Sequence, residues 1–284
     1  MKRVILCPNP SKDRRLETCR QAREMLERAG FEVCISPELV DGWPDDMPDD
    51  LPLHEMADVI DGASLVVSLG GDGTIMHTVR RIAPHEVPVI GVNLGSMGFM
   101  AELDRSELEM LLPAARGEFF PSPRMMLELA VERDGEIIYR DFALNDAFIH
   151  GVLQTIHMTA RGDGTKILEF SGDGIVVASP TGSTAYSLSA GGPIVEPTAE
   201  NLILTPICAH ALIARSFVLA PDRVVTVTLS DLRCKAFLSV DGGSFEMRGG
   251  DTLIVRKARH KTVIAHVGEK AFYDVVFEKL GEAK

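Results

Sequence analysis

The chain reads as an α/β domain followed by an all-β domain. Three observations carry this: apolar runs alternate with helix-period segments at the start, short Gly- and Asp-punctuated β segments fill the remainder, and the length of 284 residues is about twice that of an average domain.

The first strand is Val4-Ile5-Leu6-Cys7, whose apolar run stops at Pro8, too soon for the core of a signal peptide. Residues 14–29 predict a helix, because Leu16, Cys19, Ala22, Met25, Leu26 and Ala29 recur at three- and four-residue steps on one face and Gly30 closes the segment. A second strand spans 31–35. The prolines and acids of residues 41–50 can neither propagate a helix nor join a sheet interior, so a mobile surface loop is expected there. Residues 64–69 form a buried strand that runs into Gly70-Gly71-Asp72-Gly73-Thr74, and a helix follows over 75–82. Residues 87–92 give another strand, which enters Asn93-Leu94-Gly95-Ser96-Met97-Gly98-Phe99. A helical stretch over 106–115 breaks at Gly117.

Near residues 119–123 the pattern changes. Strands are expected over 126–132, 137–142, 156–160, 174–178, 224–229, 236–240 and 252–255. The expected division is therefore 1–120 for the α/β domain and 121–265 for the β-rich domain, with 266–284 as a C-terminal segment.

Apolar content of 45% with 25% charge is ordinary globular composition, and no apolar run approaches the roughly 20 residues of a membrane-spanning helix. Five cysteines, scattered and without a C-x-x-C pair, argue against a disulfide framework and a zinc site, and suit a reducing cytoplasm. A net charge of -12 without a basic stripe opposes generic nucleic-acid binding. The charge of any nucleotide ligand must then be met locally, by backbone N–H groups, Mg²⁺ or a few placed side chains.

The glycine pentad puts unhindered backbone N–H groups and a helix N-terminus at one point, an arrangement suited to a phosphate. A carboxylate there is repelled by the ligand unless it holds Mg²⁺ or accepts the proton of an attacking hydroxyl, and Asp72 is placed for either. Taken alone, the same five residues also make a tight strand-to-helix turn with an Asp cap. No G-x-x-x-x-G-K-[ST] sequence and no protein-kinase motif set is present.

Four blocks together resemble the bacterial NAD kinases, from the first strand to near the C-terminus. They are Leu69 with the pentad; residues 93–99; Asn145-Asp146; and Asp173-Gly174-Ile175 followed by Ser179-Pro180-Thr181-Gly182-Ser183-Thr184-Ala185-Tyr186-Ser187-Leu188-Ser189-Ala190-Gly191-Gly192-Pro193. The pentad by itself is shared with diacylglycerol-type lipid kinases and, in similar form, with 6-phosphofructokinases. The last block is the specific one.

The resemblance implies an N-terminal Rossmann-like (phosphofructokinase-like) domain, a C-terminal β-sandwich-like domain and NAD bound between them. It also implies a homodimer or homotetramer and a C-terminal segment that returns to the first domain. The reaction it implies is transfer of the γ-phosphate of ATP, or of polyphosphate, to NAD, with Mg²⁺ accompanying ATP. By resemblance Asp72 is the general base, with Gly71, Gly73 and Thr74 around the phosphates and His77 on the first helical turns facing them. Asn145 and Asp146 match the pair that grips the ribose hydroxyls. Asp173, Thr184, Ala185, Tyr186, Ser187, Leu188 and Ser189 match positions along the dinucleotide, and His157 matches a family histidine once a one-residue insertion after Asn145 is allowed.

Three departures stand out. Ser171 occupies a position where many relatives carry Arg, which removes a fixed charge near the dinucleotide and bears on NAD against NADH. Residues 208–216 lack the usual Pro and Asn, and Asp241-Gly242-Gly243 has Gly243 where Gln is common. A lipid kinase sharing only the pentad leaves Asn145-Asp146 and the long block unexplained; a non-catalytic NAD-binding sensor predicts loss of Asp72.

Overall fold

The computed structural model describes residues 1–37, 51–95, 98–211, 214–230, 234–268 and 271–281. The stretch 41–50, together with Ser96, Met97, Leu212 and Ile213, lies outside the described residues. The chain divides into two units, Met1–Pro123 with Thr262–Lys284, and Arg124–Lys261.

The first unit contains β1 (Arg3–Pro8), α1 (Glu17–Arg28), β2 (Glu32–Ile35), α2 (Met56–Val59), β3 (Ala63–Gly70), α3 (Asp72–Ile82), β4 (Val89–Asn93), β5 (Leu103–Asp104) and α4 (Leu111–Arg116). The strands are parallel in the order β2-β1-β3-β4, with β5 beside β4. Parallel strands are covered on both faces, which is why β1, β3 and β4 read as apolar runs without alternation. Leu16, Cys19, Ala22 and Leu26 of the α1 region pack with Leu111 and Ala115 of α4 on one face, against Val4, Leu6, Val67, Ile90 and Val92. On the other face, a Cβ at Gly91 would lie 2.4 Å from Ile75 Cδ1, so α3 approaches β4 closely.

Helix boundaries moved for local reasons. Arg15 and Leu16 have positive φ, so residues 14–16 form a 3-10 turn before α1, and the Asp13 carboxylate accepts from the Thr18 and Cys19 N–H groups, each at 2.9 Å. α3 starts at Asp72 rather than at 75, which puts Gly73 and Thr74 in its first turn. The 106–115 stretch is a 3-10 helix, Arg105–Met110, continued by α4.

The second unit carries β6 (Phe120–Arg133) from Arg124 onward, β7 (Glu136–Ala143), β8 (Asp146–Gly151), β9 (Ile156–Gly162), β10 (Thr165–Gly172), β11 (Gly174–Ala178), α5 (Tyr186–Ser189), β12 (Leu202–Ile207), β13 (Phe217–Leu219), β14 (Val225–Leu229), β15 (Ala236–Val240), β16 (Gly243–Met247) and β17 (Thr252–His266) as far as Lys261. One antiparallel sheet has the order β13-β12-β11-β8-β15-β16. A second set runs β10-β9-β14-β17, with β6 beside β17 and β7 beside β6. Ala147, Ile149, Ile175, Val177, Leu204 and Leu238 of the first set share a core with Met125, Leu127, Met158, Phe170, Val227 and Leu253 of the second, so two sheets face each other as in a β-sandwich. The short helices at residues 181–189 are the departure from an all-β reading.

After β17, whose Ile264 pairs with Val89 of β4, the chain ends in α6 (Phe272–Leu280). Glu102 fastens this return: its carboxylate accepts from His266 Nδ1 at 2.6 Å, from the Val267 N–H at 3.1 Å and from the Gly268 N–H at 2.8 Å. These bonds hold its carboxyl below the usual range against the opposing effect of burial.

Gly117 ends α4 with φ 94°, a left-handed conformation that an L side chain adopts at a cost. A Cβ there would meet only Lys2 Nζ, at 4.0 Å. Gly117→Ala is therefore expected to lower unfolding free energy by about 1 kcal/mol through backbone strain alone, with an unchanged m value in urea.

Candidate functional site

In the first unit, candidate residues gather at the carboxyl ends of β1, β3 and β4. The strand order reverses between β1 and β3, and in an open parallel sheet ligands bind at that switch point. β3 delivers the pentad there. The Thr74 hydroxyl accepts from Asn9 Nδ2 at 3.1 Å and from the Gly71 N–H at 3.4 Å, and the Asn9 N–H donates to the Leu69 carbonyl at 2.9 Å, so the β1 and β3 turns are stitched together. Asn9 was not singled out from sequence; its signal is a polar residue directly after a fully buried strand.

Asp72 opens α3 with its carboxylate gripped from another loop. The Phe99 N–H donates to Oδ2 at 2.5 Å and the Met100 N–H to Oδ1 at 3.1 Å. Between them and the β4 turn sits Gly98, where an added Cβ would lie 1.8 Å from Asp72 Oδ1. The Leu94 N–H donates to the Gly70 carbonyl at 2.7 Å, which fixes the start of the same loop on the pentad. Thus the pentad and Leu94, Gly98 and Phe99 of the second block, separate in sequence, form one construction around a carboxylate. His77, in the second turn of α3, is half-buried; burial first, then Arg81 and Arg80, push its imidazole below the usual value. That shift favours the neutral imidazole, which offers a hydrogen bond and not a charge.

In the second unit, Asn145 and Asp146 enter β8 from a turn held by Asp241. The Asp241 carboxylate accepts from the N–H groups of Leu144 at 2.6 Å, Asn145 at 3.1 Å and Asp146 at 3.1 Å. That turn is also bound to the long block: Ser179 Oγ donates to the Leu144 carbonyl at 2.5 Å and accepts from the Gly182 N–H at 3.2 Å. A Cβ at Gly182 would lie 2.1 Å from the Asn145 carbonyl oxygen, so this contact requires glycine. The Thr181 hydroxyl is buried beside it and has no hydrogen-bond partner among the described residues. Asp146 is 5% exposed; burial first, then the Asp241 carboxylate, raise its carboxyl to about 7, opposed by a bond from the Tyr186 N–H. The Tyr186 ring, itself exposed, lies 4.5 Å from that of Phe148. Ala185 and Tyr186 lead into α5, which contains Ser187, Leu188 and Ser189, and Gly243 opens β16 just after Asp241.

The remaining candidates lie at the other end of the β8–β11 ladder. Asp146 pairs with Ala178 at one end and His150 with Gly174 at the other, about 13 Å away at 3.3 Å per residue. Asp173, exposed, precedes Gly174, and the Cys208 thiol donates to its carboxylate. His157 Nδ1 and Ser171 Oγ share a hydrogen bond of 3.1 Å, and His157 Nε2 lies 3.5 Å from Glu169. Where the sequence departs from Arg, the serine is thus bonded to another candidate.

The chain matches the family model described as ATP-NAD kinase N-terminal domain over residues 4–116, and that described as ATP-NAD kinase C-terminal domain over 144–267. It is 36% identical to the NAD kinase of Ruminiclostridium cellulolyticum over 289 aligned residues, covering 100% of this chain and 99% of that protein. With the NAD kinase of Heliobacterium modesticaldum the identity is 38%, covering 97% of each. Among solved structures, yeast NADH kinase complexed with NADH is similar at a TM-score of 0.86 and 25% identity, covering 100% of this chain and 89% of that one. An NAD kinase from Archaeoglobus fulgidus in complex with ATP shares the fold at a TM-score of 0.73 and 22% identity, covering 99% of this chain and 100% of that one.

The Gly98 contact generates a sharp expectation. Gly98→Ala should displace the flexible Asp72 carboxylate rather than break the fold, so the variant melts within a few degrees of the parent. Any activity that depends on Asp72 should fall about 100-fold, as expected for a misplaced acid–base group, in an assay run beside Asp72→Asn.

Proposed function

The chain belongs to the ATP-NAD kinase family, and from that premise we propose that it transfers the γ-phosphate of ATP to the 2′-hydroxyl of the adenosine ribose of NAD, producing NADP. The observation that carries the reading is the Asp72 carboxylate, oriented by two backbone N–H groups at the start of a glycine-flanked helix.

Asp72 orients the 2′-hydroxyl and takes its proton as the oxygen attacks phosphorus. Phosphoryl transfer passes through a loose transition state, so positioning carries much of the acceleration, and a carboxylate fixed by two donors suits that task. The Gly73 and Thr74 N–H groups in the first turn of α3 serve as donors for phosphate oxygens, while the Gly71 N–H before it is given to Thr74 Oγ1 at 3.4 Å. Asn145 and Asp146 hold the ribose hydroxyls, an amide and a carboxylate being able to donate to and accept from a cis-diol. The unpartnered Thr181 hydroxyl supports a polar ligand at the same turn. Ala185 and Tyr186, with Thr184 and the residues of α5, line the dinucleotide, and His157, Ser171 and Asp173 serve its other end.

Mg²⁺ arriving with ATP fits Asp72 as a carboxylate neighbour, since this ion is ordinarily held by one or two carboxylates together with substrate phosphates, and when bound it would neutralise charge on the transferring group. Among the described residues no helix is long and apolar enough to cross a membrane. We place the enzyme in the cytoplasm as a homodimer or homotetramer.

Two measurements test this reading. Purified protein with NAD, ATP and Mg²⁺ should form NADP, detected with an NADP-specific dehydrogenase, and Asp72→Asn should cut turnover by about 10²–10⁴-fold; absence of NADP with the parent protein would overturn the reading. The second concerns Asp146, raised to about 7. Ionised, it accepts from both ribose hydroxyls; protonated, it loses acceptor capacity. KM for NAD should therefore fall as pH rises through about 7, and the dependence should flatten in Asp146→Asn. The free protein should show the opposite trend in stability. Folded Asp146 binds its proton more tightly than the unfolded chain, so stability declines as pH rises from about 4 to about 7.

A further inference from the structure

The segment that aims Asp72 is short and is held at both ends. Phe99 and Met100 give their N–H groups to the Asp72 carboxylate, and Glu102 follows Met100 by two residues. Two residues span at most about 7 Å of extended chain, so a displacement at Glu102 reaches the Met100 N–H with little slack to absorb it. Between them Ala101 lies against β4: a Cβ at Gly91 would stand 3.1 Å from the Ala101 Cα, and the Glu102 N–H donates to the Gly91 carbonyl at 3.0 Å. Leu103 then opens β5 opposite Val92.

The Glu102 side chain, 11% exposed, is spent on the C-terminal return. Its Oε2 takes the bond from His266 Nδ1, and Oε1 takes those from the Val267 and Gly268 N–H groups. A carboxylate so far out of water is costly unless donors surround it, and here they do. None of the three partners is a candidate substrate contact, so this carboxylate has no chemistry of its own to perform. The approach is close, since a Cβ at Gly268 would lie 3.2 Å from Oε1. Ile264 pairs with Val89, so the gripping segment is itself laid on the strand that carries Gly91. The C-terminal segment touches the same loop a second time, where the Lys279 ammonium of α6 lies 4.8 Å from the centre of the Phe99 ring.

We propose that Glu102 is a positioning residue for the transfer: by fastening the Gly98–Glu102 segment to the C-terminal return, it sets where Asp72 meets the attacking hydroxyl. The proposal rests on the kinase reading above and brings the end of the chain into the construction that sets the turnover rate. In a Glu102 variant Asp72 keeps its chemistry and loses its alignment. Turnover should therefore fall while substrate affinity is kept.

Hydrogen exchange at the Phe99 and Met100 amides of the complete protein reads the alignment, and steady-state NADP formation reads its consequence. Glu102→Ala should speed exchange at both amides about tenfold and lower kcat about tenfold, with KM for NAD and for ATP within about twofold. Glu102→Gln keeps an acceptor for the Val267 and Gly268 N–H groups and offers an amide donor to His266, so it should restore both readings to within about twofold of the parent. In an Asp72→Ala background, Glu102→Ala should leave the residual turnover unchanged within about twofold, because the group it aims is gone. Should Glu102→Ala not fold, Gly268→Ala, which crowds Oε1, carries the same two readings with a loss of about threefold. Unchanged exchange and kcat in the folded variants overturn the proposal, as does an equal loss of turnover in the Asp72→Ala background or a loss confined to KM. If exchange at Phe99 and Met100 follows Glu102 but the parent forms no NADP from ATP and NAD, the positioning stands and the kinase reading falls.

Discussion

Two backbone N–H groups, those of Phe99 and Met100, hold the carboxylate of Asp72, and much of the first unit's organisation serves that contact. It exists because the loop after β4 can pass within hydrogen-bonding distance of the first turn of α3, an approach that any side chain at position 98 would block. The loop in turn is fixed at one end by the Leu94 bond to Gly70 and at the other by Glu102, whose carboxylate is tied to the segment following β17. A carboxylate oriented by a loop, and the loop by a strand from the far end of the sequence, is a chain of positional constraint that ends on Asp72. The C-terminal helix adds to it through Lys279, whose ammonium lies 4.8 Å from the centre of the Phe99 ring.

The second unit uses the same device with its parts exchanged. There a carboxylate, Asp241, is the holder, and three consecutive N–H groups leading into β8 are held. The consequence is electrostatic: burial first, and the Asp241 carboxylate second, raise Asp146 to about 7. A group with that property is costly in a free protein and useful in one that must exchange hydrogen bonds with a ligand hydroxyl near neutral pH. Asp241 reaches this position at φ 43°, a left-handed conformation uncommon for a residue with a side chain.

Much of the architecture was legible because it rests on local periodicity. The uninterrupted apolar runs of β1 and β3, the helical spacing from Leu16 to Leu26, and the glycine at 117 each announce their element through the nearest few residues. Strands that depend on distant neighbours escaped notice. β12 carries Pro206 in its interior, β10 mixes Lys166 and Glu169 with its apolar positions, and β8 opens on Asp146 and contains His150. Their β conformation is set by pairing with β11, β9 and β15, contacts no window of sequence contains.

The sequence by itself determined the chemical inventory: a carboxylate among glycines at a strand-to-helix junction, an Asn-Asp pair, and a hydroxyl-rich turn, together with the order of an α/β and a β-rich unit. It did so because residue type and short-range spacing fix backbone conformation and functional groups locally. Only the tertiary structure decided that Phe99 holds Asp72, that Asn9 bonds Thr74, that Ser171 is partnered by His157, and that Lys12 and Arg105 share one cavity. Those relations join residues 14 to 93 positions apart, and the free energy that fixes them comes from packing and desolvation in the folded chain, which residue order does not display.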